Sequence, residues 1–457
     1  MDRKAPPQGT VSSDGSGEPA RPDGLVTLTV AVRKISRLET AWKAVQANGR
    51  WSKSEVVRGD IARFAEKSES NLRSIQRRLS KGIFVFGAAR GIPLKKSSGK
   101  GIRPIVIAPV ESRIVQRAIL EELQRLEPLQ PYFRNPYSFG GIKRLKDDGL
   151  AAVPGAVEAV LASIHGGCNF VVSADITAFF TRISKDAVCK LIFEVTGDDS
   201  FTNFFRQAIQ VELENLASLR EHADRFPTED IGVAQGSSLS PLLSNIILSE
   251  FDAIMNQGDC RCIRYIDDFL ILAPSRAAAK ARLKIARGIL GAMGMDLSKD
   301  KTMSEPRALK EGFEFLGVEI LPGLIRPTAK ARSRFLFSLR AVFEDSRKHF
   351  IGYRNGQSLP KSAALLGTLK RADGAIQGWG KHYRFCNDRR FFSNIDIEIA
   401  DIVRQYLGFY GDERRTASYD KAMPMLGLQL LGDIGFSGEW RKREESDNSG
   451  QPIAKEV

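Results

Sequence analysis

Histidine and cysteine are scarce in this sequence of 457 residues, which has four histidines and five cysteines. The histidines are scattered and form no H-E-x-x-H pattern, and Cys260 and Cys262 are too closely spaced for a usual zinc half-site. So few cysteines in a chain of this length do not make a disulfide scaffold, and we therefore expect a cytoplasmic protein.

Long apolar runs are also missing. No segment approaches the roughly 18 uninterrupted apolar residues of a membrane-spanning helix, so no membrane partner is expected. The opening MDRKAPPQGT contains no apolar stretch typical of a secretory signal. Residues 1–25 and 437–457 are rich in Pro, Gly, Ser and charge, which predicts flexible tails because such segments bury too little apolar surface to offset the entropy of ordering.

Basic residues are in excess, with 68 Lys and Arg against 54 Asp and Glu and a formal net charge of +14. The hydrophobic content of 42% is that of a globular protein. Because a basic surface is the electrostatic footprint of phosphate binding, this balance favours a polyanionic partner.

Helical and strand patterns alternate along the chain, which indicates an α+β fold. Ser240 and Pro241 have the residue types of an N-cap and a first helical position. Helices are expected at residues 31–48, 61–79, 111–126 and 241–255, and strands at 102–109 and 170–174.

Three aspartates adjoin apolar strand segments. Asp175 ends FVVSAD, and Asp267 and Asp268 occupy the centre of CIRYIDDFLILA, which is typical of a hairpin with the acid pair at its tip. One such aspartate is ordinarily a turn former or a helix cap. The set instead fits a two-metal site, in which a pair of Mg²⁺ ions about 4 Å apart stabilises the attacking and leaving oxygens of phosphoryl transfer. Mn²⁺ is a possible substitute.

Further segments occur in an order that resembles one family. They are LSKGIFVFGAARGIPLKKSSGKGIRPIVIAPVESRIVQRAILEEL, SADITAFFTRI, GVAQGSSLSPLLSNIILSEFD, RYIDDFLILA, LSKDKT, FEFLGVEI and IQGWGKHYRF. Together they make the sequence similar to bacterial reverse transcriptases of the group II intron-like lineage, over about residues 79–385.

The resemblance implies a right-hand polymerase fold with fingers, an RRM-like antiparallel palm sheet and a helical thumb. N-terminal helices and fingers are expected at residues 26–165, the palm at 166–325 and a helical thumb or maturase-like region at 326–436. In the thumb, Trp379 and Tyr383 could stack on bases or pack the domain itself.

The same resemblance implies roles for individual residues. Asp175, Asp267 and Asp268 match the catalytic, metal-binding triad of the palm. The substrate-binding positions are Arg103 on the triphosphate, Phe180 as the steric gate against the ribose 2′-hydroxyl, Gln235 and Gly236 beside the incoming nucleotide, and Lys301 near the leaving phosphates.

These matches predict RNA-templated DNA synthesis with dNTPs as substrates, an RNA template and a DNA product. The family's P-Q-G-x-P-L-S-P appears here as AQGSSLSP, without its two variable prolines, and no Cys/His-rich endonuclease segment is evident. We therefore expect an "unknown group" enzyme that copies a dedicated noncoding RNA in antiphage defence. A group II intron maturase that aids splicing, supported by GWGKHYR, and a retron-type enzyme stay as alternatives.

Overall fold

The computed structural model describes residues 28–52, 54–96, 101–141 and 152–431. The two predicted tails lie outside these residues. The chain divides into two compact units. The first, here the N-terminal unit, comprises the described residues up to Cys168 together with Val172–Leu272 and Ala277–Ser304. The second, the C-terminal unit, comprises Asn169–Val171, Ala273–Arg276 and the described residues from Glu305 onward.

The helices and strands alternate as the sequence predicts, so the α+β class is confirmed. The helices are α1 (Leu28–Val32), α2 (Ile35–Gly49), α3 (Glu55–Glu66), α4 (Ser68–Ser80), α5 (Val110–Leu123), α6 (Gln130–Phe133), α7 (Ala152–His165), α8 (Lys185–Thr196), α9 (Asp199–Ile209), α10 (Ser240–Ile247), α11 (Ser249–Met255), α12 (Arg276–Ala292), α13 (Ala329–Arg354), α14 (Leu365–His382), α15 (Arg389–Thr416) and α16 (Tyr419–Leu426). The strands are β1 (Arg90–Lys95), β2 (Ile102–Ile107), β3 (Ser138–Phe139), β4 (Phe170–Asp175), β5 (Arg261–Tyr265), β6 (Asp268–Ala273), β7 (Arg307–Ala308), β8 (Phe313–Phe315), β9 (Val318–Leu321) and β10 (Leu324–Pro327). None of the helices within the described ranges has the length and apolar character needed to span a bilayer.

A central sheet in the N-terminal unit holds strands β3, β5, β6 and β4 side by side in that order. Strands β5 and β6 form an antiparallel hairpin, in which Tyr265 is paired with Asp268. The short β3 pairs with β5 in parallel, whereas the β5–β6 pair is antiparallel, as expected for the palm sheet. The sheet therefore brings the end of β4 next to the hairpin.

Helix α5 lies in the core of the N-terminal unit and packs mainly against α2. Its residues Ile114, Val115, Ala118 and Ile119 are fully buried, at the helical spacing that the sequence shows. A separate antiparallel hairpin, β1–β2, pairs Arg90 with Ile107 at its open end. This hairpin belongs to the segment predicted to form the fingers.

Several predicted helix boundaries are wrong. The helix expected at residues 241–255 is interrupted at Leu248 and forms α10 and α11. Those expected at 31–48 and 61–79 are also each divided in two. Ser240 is the first residue of α10 instead of its N-cap, and its hydroxyl donates to the carbonyl of Ala234 at 2.7 Å. Because that hydroxyl is engaged with the preceding loop, α10 begins without a side-chain cap.

The C-terminal unit combines a small antiparallel sheet, β8–β9–β10, with the long helices α13, α14 and α15. Strand β7 pairs with the first two residues of β4, which also belong to this unit. Trp379 stacks on Phe335 with ring centroids 4.6 Å apart, and Tyr383 is buried beside it. Of the two roles considered for Trp379 and Tyr383, these contacts correspond to packing within the domain.

Candidate active site

The β5–β6 hairpin turns through two residues, Ile266 and Asp267, with Asp268 as the first residue of β6. Ile266 has a φ of +61°, the left-handed value that the first central residue of a type II′ turn adopts. A β-branched residue is strained there by about 1–3 kcal/mol. The predicted hairpin is therefore present, and its acidic tip is held in a strained turn.

Asp175 reaches this turn from the neighbouring strand. The N–H of Ile176, the next residue, donates to the carbonyl of Asp267 at 2.9 Å. On the other side, the N–H of Ser298 donates to the Asp175 carbonyl at 2.8 Å, which brings the LSKDKT segment alongside. Lys301 of that segment places its Nζ 2.7 Å from Asp175 Oδ1. Four of the predicted site residues are thus gathered at one edge of the sheet.

The electrostatics of this cluster are dominated by buried negative charge. Burial raises the pKa of Asp267, and Asp175 raises it further, whereas Lys301 and Arg103 act to lower it. Burial, followed by the charges of Asp175 and Asp267, raises the pKa of Asp268 to about 7. A buried carboxylate next to like charges resists ionisation, because its charged form loses solvation and is repelled.

Among the described residues, the predicted metal ligands do not form a metal-binding cluster. Within the described ranges, no three His, Cys, Asp or Glu side chains come close enough together to hold a metal ion. The cationic group in contact with Asp175 is the Lys301 ammonium. The triad is therefore assembled on neighbouring strands, and its role in binding metal stays a prediction.

Gln235 and Gly236 lie against strand β2, which also carries Arg103. The N–H of Val106 donates to the carbonyl of Gln235 at 3.0 Å. Gly236 has a φ of +126°, and a Cβ at this position would lie only 2.9 Å from the Val106 carbonyl oxygen. The close approach that glycine permits here is therefore to the backbone of the β1–β2 hairpin.

Phe180 lies on a short 3-10 helix, Phe179–Thr181, that follows β4. Phe179 is buried and Phe180 is half-buried, as expected for a core ring followed by a ring with one free face. The residue that begins this turn, Ala178, has a left-handed φ of +51°. The carbonyl of Phe180 accepts the N–H of Val233 at 2.7 Å, so the Phe180 segment is joined to the chain that leads to Gln235.

A buried polar network below the hairpin turn was missed by the sequence reasoning. Arg264 on β5 is fully buried, and its Nε donates to Asp252 Oδ1 at 2.7 Å. Its Nη1 donates to the carbonyl of Ile266 at 3.0 Å, and its Nη2 approaches Asn245 Oδ1 at 3.3 Å. The available signal was a charged residue that directly follows the apolar pair Cys262 and Ile263 in a strand, since a buried charge there requires a partner.

Comparison with known proteins gives a family match inside the chain. Residues 94–320 match the family described as "Reverse transcriptase (RNA-dependent DNA polymerase)". Protein YkfC of Escherichia coli (strain K12) is 26% identical over 273 residues, which cover 51% of this chain and 66% of YkfC. The uncharacterized 91 kDa protein in the cob intron of Schizosaccharomyces pombe is 28% identical over 172 residues, 37% of this chain and 19% of that protein. The chain thus spans less than two thirds of the length of these curated relatives.

Solved structures resemble the chain only distantly. The apo telomerase from Candida tropicalis is 15% identical with a TM-score of 0.36, covering 76% of this chain and 66% of that chain. A partial Cas6-RT-Cas1–Cas2 complex is 19% identical with a TM-score of 0.34, covering 59% of this chain and 43% of that chain. These values are too low to carry an argument.

The family match contains every candidate site residue, from Arg103 to Lys301. It agrees with the fold class expected from the sequence, a right-hand polymerase domain of mixed helices and sheet. This protein therefore carries a reverse transcriptase domain over residues 94–320.

Proposed function

We propose that this protein is an RNA-templated DNA polymerase that adds dNTPs to the 3′-hydroxyl of a primer. The observation that carries the proposal is the contact between the end of β4 and the β5–β6 turn, through the 2.9 Å hydrogen bond from Ile176 to Asp267. It sets Asp175 beside Asp267 and Asp268 within the family-matched residues. Carboxylates on neighbouring strands are the arrangement that nucleotidyl transfer requires.

The donor set of this cluster fits Mg²⁺. Carboxylate oxygens are the ligands that this ion prefers. The pKa values of Asp267 and Asp268 are raised in part because nearby cations do not fully neutralise the acidic cluster. Asp175, Asp267 and Asp268 would hold the ions, with Mn²⁺ as a substitute. Bound there, the metal would supply charge stabilisation for the oxygens that react.

The remaining residues bind and select the nucleotide. Arg103, whose positive charge acts on Asp267, would hold the triphosphate, and Lys301 would provide a cation near the leaving phosphates. Phe180 would exclude the ribose 2′-hydroxyl, with Gln235 and Gly236 forming the adjoining wall. Together these roles favour dNTPs over rNTPs.

Primer extension on an RNA template tests the proposal. Asp267→Asn should reduce synthesis by several orders of magnitude, because it removes a charge that a metal ion needs. Asp259→Asn, an exposed aspartate just before β5, is the matched control and should retain wild-type synthesis. Near-normal extension by Asp267→Asn would overturn the assignment.

An RNA-binding maturase is the second candidate. It is favoured by the similarity to the S. pombe protein of the cob intron. Splicing assistance depends on RNA contacts instead of nucleotidyl transfer. A splicing assay should therefore give equal activity for wild type and Asp267→Asn if the maturase function is the right one, and primer extension should then be absent from both.

A finer proposal concerns the biological role, which is copying of a dedicated noncoding RNA in antiphage defence. Its support is the departure of residues 234–241, AQGSSLSP, from the intron-type motif. Sequencing the nucleic acid that copurifies with the protein would reveal the template and any complementary DNA. Phage plating with wild type and Asp267→Asn tests the role, and equal protection or no protection by both would count against it. A self-primed, branched RNA among the products would instead favour the retron type.

A further inference from the structure

Lys185, the first residue of α8, is fully buried although it carries an ammonium group. Its Nζ donates to the carbonyls of Glu229 and, at 3.4 Å, Pro227. Burial lowers the pKa of this lysine, and the nearby Asp230 and Glu229 charges act in the opposite direction. Burying an ammonium away from solvent is costly. The hydrogen bonds from Lys185 to the carbonyls of Pro227 and Glu229 offset this cost.

The loop that Lys185 binds leads directly to Gln235. We define residues 180–185 as the gate segment, because it begins at Phe180, and residues 227–233 as the staple loop. Backbone contacts join the two segments along their length: Lys185 N to Asp230 O at 3.2 Å, the isolated bridge between Ser184 and Ile231, Gly232 N to Ile183 O at 2.7 Å, and Val233 N to Phe180 O at 2.7 Å. We call this series of backbone contacts the ladder. The Lys185 ammonium lies at one end of the ladder, and Phe180 lies at the other.

The gate segment and the staple loop pack closely at Gly232. Gly232 has a φ of +95°, and a Cβ there would lie 2.8 Å from Pro227 Cβ and 3.2 Å from the Thr181 backbone. The gate segment and the staple loop are therefore in direct contact. A change in the loop's position is transmitted to the carbonyl of Phe180 and, two residues beyond Val233, to Gln235.

We propose that Lys185 is a positioning residue that fixes the staple loop against the gate segment, and thereby sets the placement of Phe180 and Gln235 that excludes ribonucleotides. The inference rests on the proposed polymerase function and deepens it by naming a determinant of sugar selectivity. Lys185 is sealed from solvent by protein, so it acts through Phe180 and Gln235 without touching the nucleotide.

The test is the ratio of kcat/KM for a dNTP to that for the matching rNTP, measured by primer extension on an RNA template. Lys185→Met keeps the length of the side chain but removes the donors, and we expect the ratio to fall about tenfold, since small displacements of positioned groups change rates by such factors. Lys190→Met on the same helix, where the lysine is 79% exposed, is the matched control and should keep the wild-type ratio. A purely structural role would lower both efficiencies together and leave the ratio unchanged.

A double-mutant cycle identifies the route. In a Phe180→Leu background, Lys185→Met should lower the ratio no further, because the gate through which it acts is already lost. Full additivity would overturn the inference, and so would an unchanged ratio in Lys185→Met. If Lys185→Met does not fold, Gly232→Ala separates the same two segments, and an unchanged ratio in that variant would also overturn it. Absence of DNA synthesis by wild type would contradict the polymerase proposal itself.

Discussion

Arg264 and Asp252 form an ion pair in the interior of the N-terminal unit, with exposed side-chain fractions of 0% and 2%. The same guanidinium donates to the carbonyl of Ile266, the strained residue that precedes Asp267. The pair therefore joins helix α11 to the turn that presents the acidic residues. A planar guanidinium with a fixed fork of donors suits this task, because it can serve the carboxylate and the carbonyl at once.

Breaking this pair should destabilise the protein strongly. Asp252→Asn leaves a buried guanidinium without its counter-charge, and we expect the free energy of unfolding to fall by about 3–5 kcal/mol. Urea denaturation measures the change. Glu69→Gln, which breaks the exposed pair between Glu69 and Arg73, is the control and should cost less than about 1 kcal/mol. An equal decrease in the free energy of unfolding for the two variants would show that the buried ion pair contributes no more than the exposed one.

Asp268→Asn should make the metal-free protein more stable while it impairs synthesis. The pKa of Asp268 is raised to about 7 in the folded protein by burial and by its acidic neighbours. A carboxyl with a pKa higher in the folded than in the unfolded state stabilises the fold fully below the unfolded pKa, near 4. That stability is lost as the pH rises through about 7.

The difference between Asp268→Asn and wild type should accordingly grow between about pH 4 and pH 8. We expect the variant to be more stable by on the order of 4 kcal/mol at the upper end, in EDTA, because about three pKa units separate the folded and unfolded states. Urea titrations at a series of pH values provide the measurement. A constant difference across this range would contradict the raised pKa.

Gly236→Ala should destabilise the contact between the Gln235 loop and β2. The new Cβ would meet the Val106 carbonyl oxygen at 2.9 Å in a backbone conformation that side chains rarely adopt, so we expect a cost of about 1–3 kcal/mol. Gly288→Ala on α12, where no atom lies within 4 Å, should instead stabilise by about 0.5–1 kcal/mol. Thermal unfolding of both variants measures the change in stability that each causes. A change in the same direction for both would contradict the close approach at Gly236.

Ala178→Gly should stabilise the protein slightly. The left-handed φ of +51° at Ala178 costs a non-glycine residue about 1–2 kcal/mol, which exceeds the entropy that glycine loses on folding. The net gain is about 0.5 kcal/mol, measurable by urea denaturation. Ala281→Gly in the interior of α12, an exposed helical position, should cost about 1 kcal/mol and serves as the comparison.

Local sequence patterns were sufficient for the elements that hold the acids. Apolar residues flanking Asp175 and the Asp267–Asp268 pair predicted a strand end and a hairpin, and both are present. The break at Leu248 was not predictable, because the apolar spacing continues through it. Ser240 has the residue type of an N-cap, but its hydroxyl bonds to the preceding loop instead.

Contacts between distant parts of the chain were beyond the reach of local patterns. Nothing near Lys185 indicates that its ammonium is buried against carbonyls more than 40 residues away. The close approach of Gly236 to Val106 likewise depends on the way two remote segments meet. Tertiary packing determines such contacts. The sequence indicates only that a buried charge needs a partner and that a glycine can permit a close approach.

Strand β2 carries Arg103 and, three residues later, the N–H that binds the carbonyl of Gln235. Any movement of the β1–β2 hairpin should therefore also move Gln235, because this hydrogen bond joins them. Under the proposed roles, binding of the triphosphate by Arg103 and placement of Gln235 beside the sugar would therefore be coupled through one strand.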